Sequence, residues 1–219
     1  MSWQKDQCGG WFGDKKAEEA RWRREKLRAA YHESGHAFWA WFTGGKLLSV
    51  NVCAIQECAG QTLTQHPGLN PLLAWDDPAV LDFVRVLLAG VCAEYRGTLE
   101  LWDLDVGGRQ DVIRAMAELV RRGWEGSGGK PWSQYDLTDF FEEFSGGDGG
   151  PRREVHQHDA WRCIEALAQG LLERTRLSGQ EAVAIILSAW CDDRPLPEKA
   201  LPIESHGDEK PSKEDKTND

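Results

Sequence analysis

Two histidines and a glutamate lie close together in a stretch of small and apolar residues, 29–41, which reads AAYHESGHAFWAW. His32, Glu33 and His36 form the pattern HExxH. Four residues of an α-helix turn through about 400°, so both imidazoles share one face and lie about 6 Å apart along the axis. Two imidazoles at this spacing can bind one zinc ion, and the neighbouring carboxylate can accept a proton from water. The pattern predicts a zinc site with His32 and His36 as ligands and Glu33 as the general base.

The flanking residues predict that this helix is buried. Ala29, Ala30 and residues 37–40 are small or apolar. Two histidines and a glutamate in such surroundings are costly unless they are paired or bind a metal ion. The motif by itself leaves open a pair of hydrogen-bonded core histidines as the alternative.

A catalytic zinc site usually has a third protein ligand, and several later residues could supply it. The extended pattern HExxHxxGxxH is excluded, because Trp39 and Phe42 stand where it needs glycine and histidine. Helical periodicity favours Asp111 among the aspartates, since it borders an apolar stripe, where an acid needs a partner. The other candidates are Glu94, His66, His156, His158, Asp103 and Asp105.

The sequence around these residues predicts a mainly α fold with a small β-sheet beside the helix of the HExxH motif. Strands are predicted within residues 47–55 and 60–65, which are joined by a connection containing glycine. Thr43-Gly44-Gly45 ends the first predicted helix, and Asp77-Pro78 begins the second. The predicted helices cover residues 14–42, 78–97, 109–122, 137–144 and 154–190, the last of them broken near Leu177-Ser178-Gly179.

Length and composition predict one folded domain with flexible ends. The chain has 219 residues, of which 41% are hydrophobic, enough for a core. Residues 1–13 show no periodicity and are predicted as a flexible arm, and residues 192–219 as a disordered acidic tail. The domain between them, residues 14–191, contains an insert rich in glycine at about 123–152.

Charge and hydropathy exclude several classes of partner. The net charge of −10 and the pI of about 5.1 disfavour nucleic acid. The mean hydropathy is −0.54 and no apolar run approaches eighteen residues, so no membrane span is expected. The start of the chain lacks the apolar segment of a secretory signal, and six cysteines occur without a CxxC pair. We therefore expect reduced thiols and a cytoplasmic location.

Three further features suggest contacts around the site. Glu94 could orient a zinc-binding histidine through the other ring nitrogen, or could be a carboxylate on a helix surface. A strand carrying Val50, Val52 and Ile55 could present an exposed edge to which an extended polypeptide adds. Eleven tryptophans exceed the needs of a core and could line a groove or a contact between copies of the chain, so a homo-oligomer is possible.

Several segments resemble, in the same order, the peptidase domain of the FtsH-type ATP-dependent zinc metalloproteases. The family pattern AYHEAGHA is similar to residues 30–37, and LxGGRxAEE is similar to residues 88–94. The pattern G-x-x-N-D-[ILV]-x-x-A resembles residues 108–115, with Gln110 in place of asparagine. Further likeness lies at residues 60–63 and 164–181.

The resemblance implies a fold, a cofactor and a reaction. It implies the FtsH-type peptidase fold, one zinc ion, Asp111 as the third ligand and a polypeptide substrate. The sequence lacks the GxxxxGK[ST] motif of an ATPase, so a separate ATPase is a possible partner. We therefore expect a soluble, ATP-independent zinc metalloendopeptidase that cleaves unfolded or flexible segments. The alternative is a binding or regulatory protein that retains the zinc site without turnover.

Overall fold

The computed structural model describes residues 4–5, 11–12, 15–52, 60–65, 70–99, 108–147, 150–190 and 195–200. Within these ranges the protein is mainly helical with a small antiparallel sheet, which confirms the predicted fold class. The helices are α1 (Lys15–Phe42), α2 (Pro78–Thr98), α3 (Arg109–Arg121), α4 (Leu137–Gly146), α5 (Pro151–Val155), α6 (His158–Arg174) and α7 (Gly179–Ala189). The strands are β1 (Gln4–Lys5), β2 (Trp11–Phe12), β3 (Lys46–Asn51), β4 (Gln61–Gln65), β5 (Gly126–Ser127), β6 (Lys130–Pro131) and β7 (Arg176–Ser178).

Helix α1 ends where the sequence predicts, and its two halves have different surroundings. The N–H groups of Gly44 and Gly45 donate to the carbonyls of Trp41 and Ala40, and Gly44 has a φ of +85°. Gly44 adopts the left-handed backbone conformation, which lets the chain turn so that these N–H groups pair with carbonyls at the end of the helix.

The two halves of α1 differ in exposure: residues 15–25 are exposed, whereas residues 33–41 are buried. The first half therefore projects from the domain, and the second half forms its centre.

A close crossing of α1 and α2 builds the core. A Cβ on Gly35 would lie 2.7 Å from the Cβ of Ala93 and would also strike the backbone of Ala89. The absence of a side chain therefore lets the two helices approach at this point. Helix α2 begins as predicted, with Pro78 in its first turn and the Asp77 carboxylate accepting the N–H of Ala79.

The main sheet has the order β4-β3-β7, with antiparallel pairing throughout. The sequence predicted a break near Leu177-Ser178-Gly179 but did not predict the strand β7, which is only three residues long. A Cβ on Gly179 would collide with the Leu47 carbonyl, so the residue after β7 lies directly against β3. Strand β7 exists because packing brings it to β3, and three residues carry too little pattern to show this.

The predicted exposed edge at residues 50–55 is wrong for the part that the structure describes. Strand β3 is central, because Val50 pairs with Thr62 on one side and Leu177 on the other. Val50 and Val52 are buried, and the N–H of Val52 donates to the Thr175 carbonyl. Their side chains belong to the core, and their backbone already has partners. Ile55 lies outside the described residues.

The segment rich in glycine forms a packed lobe within residues 123–147. Strands β5 and β6 form a short hairpin, and α4 matches the predicted short helix. The ring of Trp124 lies within 5.5 Å, centroid to centroid, of the rings of Tyr135, Phe140 and Phe144. Aromatic burial thus anchors this lobe to the core, while its glycines serve the turns.

Residues 195–200 contact the domain although the sequence predicts a disordered tail from 192. The ammonium of Lys199 lies 2.6 Å from the Asp82 carboxylate, and Ala200 packs against the core. A Cβ on Gly44 would lie 2.7 Å from the Lys199 carbonyl, so this segment covers the end of α1. None of the helices in the described ranges is long and apolar enough to cross a membrane.

Candidate metal centre

The structure brings His32, His36 and Asp111 together from α1 and α3. The Nε2 atoms of the two histidines are 3.0 Å apart. The Oδ2 atom of Asp111 lies 3.0 Å from Nε2 of His32 and 3.4 Å from Nε2 of His36. Within the described residues, these three side chains form the one group that could hold a metal ion.

The other nitrogen of each imidazole has a partner that fixes the ring. Nδ1 of His36 is 2.7 Å from the backbone carbonyl of Val86, and a carbonyl can only accept. Nδ1 of His32 is 3.0 Å from the Glu94 carboxylate, which also accepts when ionised. Both Nδ1 atoms therefore donate their hydrogen, and in a neutral imidazole this leaves a lone pair on Nε2.

Three acceptor atoms consequently converge on one point between α1 and α3. When both imidazoles are neutral, two lone pairs and a carboxylate oxygen at 3.0–3.4 Å repel one another unless a proton or a metal ion lies among them. Ligand atoms about 2.0–2.1 Å from a tetrahedral zinc ion are separated by about 3.3 Å. The spacing and the donor types, two nitrogens and one oxygen, both fit zinc. A four-coordinate ion held by these three residues would have one position left for water or substrate.

The pKa shifts of His32 and Asp111 have the same origin. Burial disfavours a charge on His32, but hydrogen bonds to Asp111 and Glu94 outweigh burial and raise the pKa of His32 to about 10. Burial also favours a neutral Asp111, yet the contacts with His32 and His36 hold its pKa far below the usual range. The site thus binds a proton tightly, and a metal ion must displace that proton to bind.

Glu94 is a partner of His32 and is not part of the group of three. Its second oxygen accepts from Nε of Arg28 at 2.7 Å and also from the other end of the same guanidinium. Burial raises the pKa of Glu94, but His32 and Arg28 together lower it below its usual value. Glu94 is therefore ionised and oriented, as a carboxylate that positions a ligand histidine needs to be.

Gly90 on α2 leaves the space that the imidazoles occupy. A Cβ at this position would lie 2.5 Å from Nε2 of His36 and 2.9 Å from Nε2 of His32. Any side chain on this face of α2 would therefore push the two ligand atoms away from their present positions.

Glu33 is buried on the same helix but contacts a different element. Its Oε2 atom accepts a hydrogen bond of 2.7 Å from the hydroxyl of Thr62 on β4. A Cβ on Gly60 would lie 2.5 Å from Cγ and 2.7 Å from Oε1 of Glu33. The carboxylate is therefore seated between α1 and the start of β4, outside the group of three.

Of the remaining candidates, His156 and His158 are described by the structure and are not part of the group. His156 and His158 are exposed, and the pKa of His156 is lowered by partial burial and by nearby arginines. His66, Asp103 and Asp105 lie outside the described residues.

Several contacting residues were missed by sequence reasoning. Gly60 and Thr62 lay in a segment noted for its resemblance but received no role. Gly90 lay within another such segment, where the pairing of small residues on α1 and α2 was the available signal. Arg28 stands one helical turn before His32, and this spacing could have indicated it. The Val86 carbonyl carries no sequence signal, because any residue supplies a carbonyl.

No protein-family model matches the chain. Over 176 aligned residues it is 30% identical to the protein named ATP-dependent zinc metalloprotease FtsH 1 of Symbiobacterium thermophilum. The alignment covers 74% of this chain and 29% of that protein, so the chain spans less than a third of its relative's length. The chain is thus similar, at low identity, to part of an FtsH-type zinc metalloprotease, and this similarity points to a distant relationship.

Proposed function

We propose that the chain is a zinc metallopeptidase in which His32, His36 and Asp111 hold the metal ion and Glu33 is the general base. One observation carries the proposal: three acceptor atoms from two helices meet at 3.0–3.4 Å, and their hydrogen-bonded neighbours fix them in that state. The similarity to a zinc metalloprotease supports the same reaction.

Each residue of the site has a separate role in the proposed reaction. Zinc, when bound, supplies Lewis-acid activation of a water molecule and of the scissile carbonyl. Glu33 follows His32 directly and, since its Oε2 accepts from Thr62, has Oε1 available for a proton from the attacking water. Glu33 then delivers that proton to the amine that leaves. Glu94 and the Val86 carbonyl keep the imidazoles oriented throughout.

The sheet suggests the form of the substrate. Strand β4 is at the edge of the β4-β3-β7 sheet, and it carries Thr62, which contacts Glu33. An extended polypeptide that pairs with β4 as an additional strand therefore lies beside the general base. We propose unfolded or flexible segments as substrates, because a folded chain cannot pair its backbone in this way.

Cleavage of an unfolded protein by the purified chain tests the proposal. Wild type should bind one zinc ion and cleave reduced, unfolded casein, and a chelator should abolish cleavage. Glu33→Gln should retain zinc and lose at least about 100-fold in turnover, the usual contribution of a general base.

Two controls make the outcome decisive. Asp111→Ala should lose zinc, whereas His158→Ala, which removes an exposed histidine, should change neither zinc content nor cleavage. Full activity of Glu33→Gln would contradict its role as base. Stoichiometric zinc without any cleavage would favour a regulatory protein that retains the site.

A further inference from the structure

We infer that Thr62 is a positioning residue for Glu33: its hydroxyl holds one carboxylate oxygen and leaves the other to accept the proton of the attacking water. The inference rests on the proposed function, since it assigns a residue that serves the same base.

The two carboxylate oxygens of Glu33 have different neighbours. The hydroxyl of Thr62 has one hydrogen, and its shortest contact is the 2.7 Å bond to Oε2, compared with 3.1 Å to the Glu33 backbone carbonyl. The other oxygen, Oε1, lies on the side of Gly60, where a Cβ would be 2.7 Å away. One oxygen therefore accepts from a hydroxyl, and the other lies beside Gly60, which has no side chain.

This arrangement has a chemical purpose for a general base. A buried glutamate, 6% exposed, can rotate about three side-chain bonds unless a contact fixes it. A hydroxyl that donates to one oxygen fixes the plane of the carboxylate and leaves the second oxygen to accept the proton. The contact also links the base to β4, so the strand proposed to bind the substrate and the base have a fixed relative position.

A second explanation is that Thr62 only fastens β4 to α1. The bond of 3.1 Å to the Glu33 backbone carbonyl would serve that purpose with any residue at position 33. The two explanations differ in whether the effect of the hydroxyl depends on the Glu33 side chain.

Kinetics of three variants test the inference in the zinc-loaded protein. Thr62→Val removes the hydroxyl at nearly constant volume and should lower kcat about tenfold or more, with KM within about twofold and zinc content unchanged. Thr62→Ser should restore most of kcat. Thr43→Val is the matched control, because Thr43 is also half-buried and donates only to carbonyls of α1 in the described structure; it should retain wild-type kcat. Equal kcat for Thr62→Val and Thr43→Val would overturn the inference.

A double-mutant cycle tests it without any activity. The unfolding midpoints of wild type, Thr62→Val, Glu33→Ala and the double variant are compared in the metal-free protein. If the hydroxyl acts on the carboxylate, Thr62→Val lowers the midpoint in wild type but hardly changes it in the Glu33→Ala background. Glu33→Met replaces Glu33→Ala where the alanine variant does not fold. Additive losses would overturn the inference, whereas absence of cleavage by wild type would overturn only the proposed function.

Discussion

Carboxylates form ion pairs in two regions of the molecule, and the strength of these pairs differs with the burial of the carboxylates. At the metal centre, Asp111 and Glu94 are largely buried and contact the imidazole of His32. In the lobe of residues 123–147, the carboxylates of Asp139 and Glu142 are about half exposed and contact Lys130 and Arg152. Water screens the second set, so these ion pairs contribute little, whereas the first set holds a cation or a proton tightly. Between these two regions, burial of the carboxylates and not the number of ion pairs distinguishes the metal centre.

The largest effect that separates the two regions is expected for Gly90→Ala. The added methyl would lie 2.5 Å from Nε2 of His36 and 2.9 Å from Nε2 of His32, so both ligand atoms must shift from their present positions. We expect zinc affinity to fall by at least about 100-fold while the fold is retained. Competition with a chelating dye measures affinity, and circular dichroism measures the fold.

The lobe supplies the matched control for that variant. Gly146→Ala also places a methyl group on a helix, but no atom of another described element lies within 4 Å of the new Cβ. It should leave zinc affinity unchanged. Wild-type affinity in Gly90→Ala would show that the ligands adjust freely and that the site is not built by close packing.

A smaller loss of affinity is expected for Glu94→Ala. The variant leaves Nδ1 of His32 without its carboxylate partner, so the ring can rotate and its ligand nitrogen becomes less basic. Removal of such a partner lowers metal affinity about 10–100-fold. Titration with zinc under the same competition conditions measures this loss. Unchanged affinity would mean that Glu94 serves only the ion pair with Arg28.

Stability of the metal-free protein should decrease as the pH rises from about 6.5 to about 10. The pKa of His32 is raised above its unfolded value of about 6.5, so its contribution is complete below about pH 6.5 and is lost toward about pH 10. The pKa of Asp111 is lowered, so its contribution exists above about pH 3.8 and is lost on acidification.

Urea unfolding in the presence of a chelator measures this dependence. Between pH 6.5 and 10 the free energy of unfolding should fall by more than about 1.4 kcal/mol, the equivalent of one pKa unit. Excess zinc should remove most of the fall, because the metal ion replaces the proton. If metal-free wild type and metal-free Asp111→Asn showed the same dependence of stability on pH, the coupling of His32 to Asp111 would be contradicted.

The smallest effect is expected for the exposed ion pair between Glu142 of the lobe and Arg152 of α5. Arg152→Ala removes the guanidinium that contacts Glu142, where both side chains are almost half exposed. The free energy of unfolding should change by no more than about 0.5 kcal/mol, and zinc affinity should not change. Chemical denaturation measures the first and the dye competition the second. A loss above about 2 kcal/mol would contradict the distinction between the two regions.

The sequence by itself determined the elements that depend on neighbouring residues. The spacing of His32 and His36 required one helical face, Gly44 ended α1, and Asp77-Pro78 began α2. Each of these features is local, because caps and helical periodicity involve residues within about four positions of one another. Asp111 was favoured among the aspartates by its place beside an apolar stripe, and the resemblance pointed to it as the third ligand.

The tertiary structure decided what lies opposite these elements. It placed β3 between β4 and β7, so Val50 became a core residue and the free edge moved to β4. It also set Gly90 against the imidazoles and Thr62 against Glu33, residues separated by 29 to 58 positions in the chain. Such contacts depend on how closely whole helices and strands approach. That distance is determined by the packing of the entire core, and no local pattern of residues encodes it.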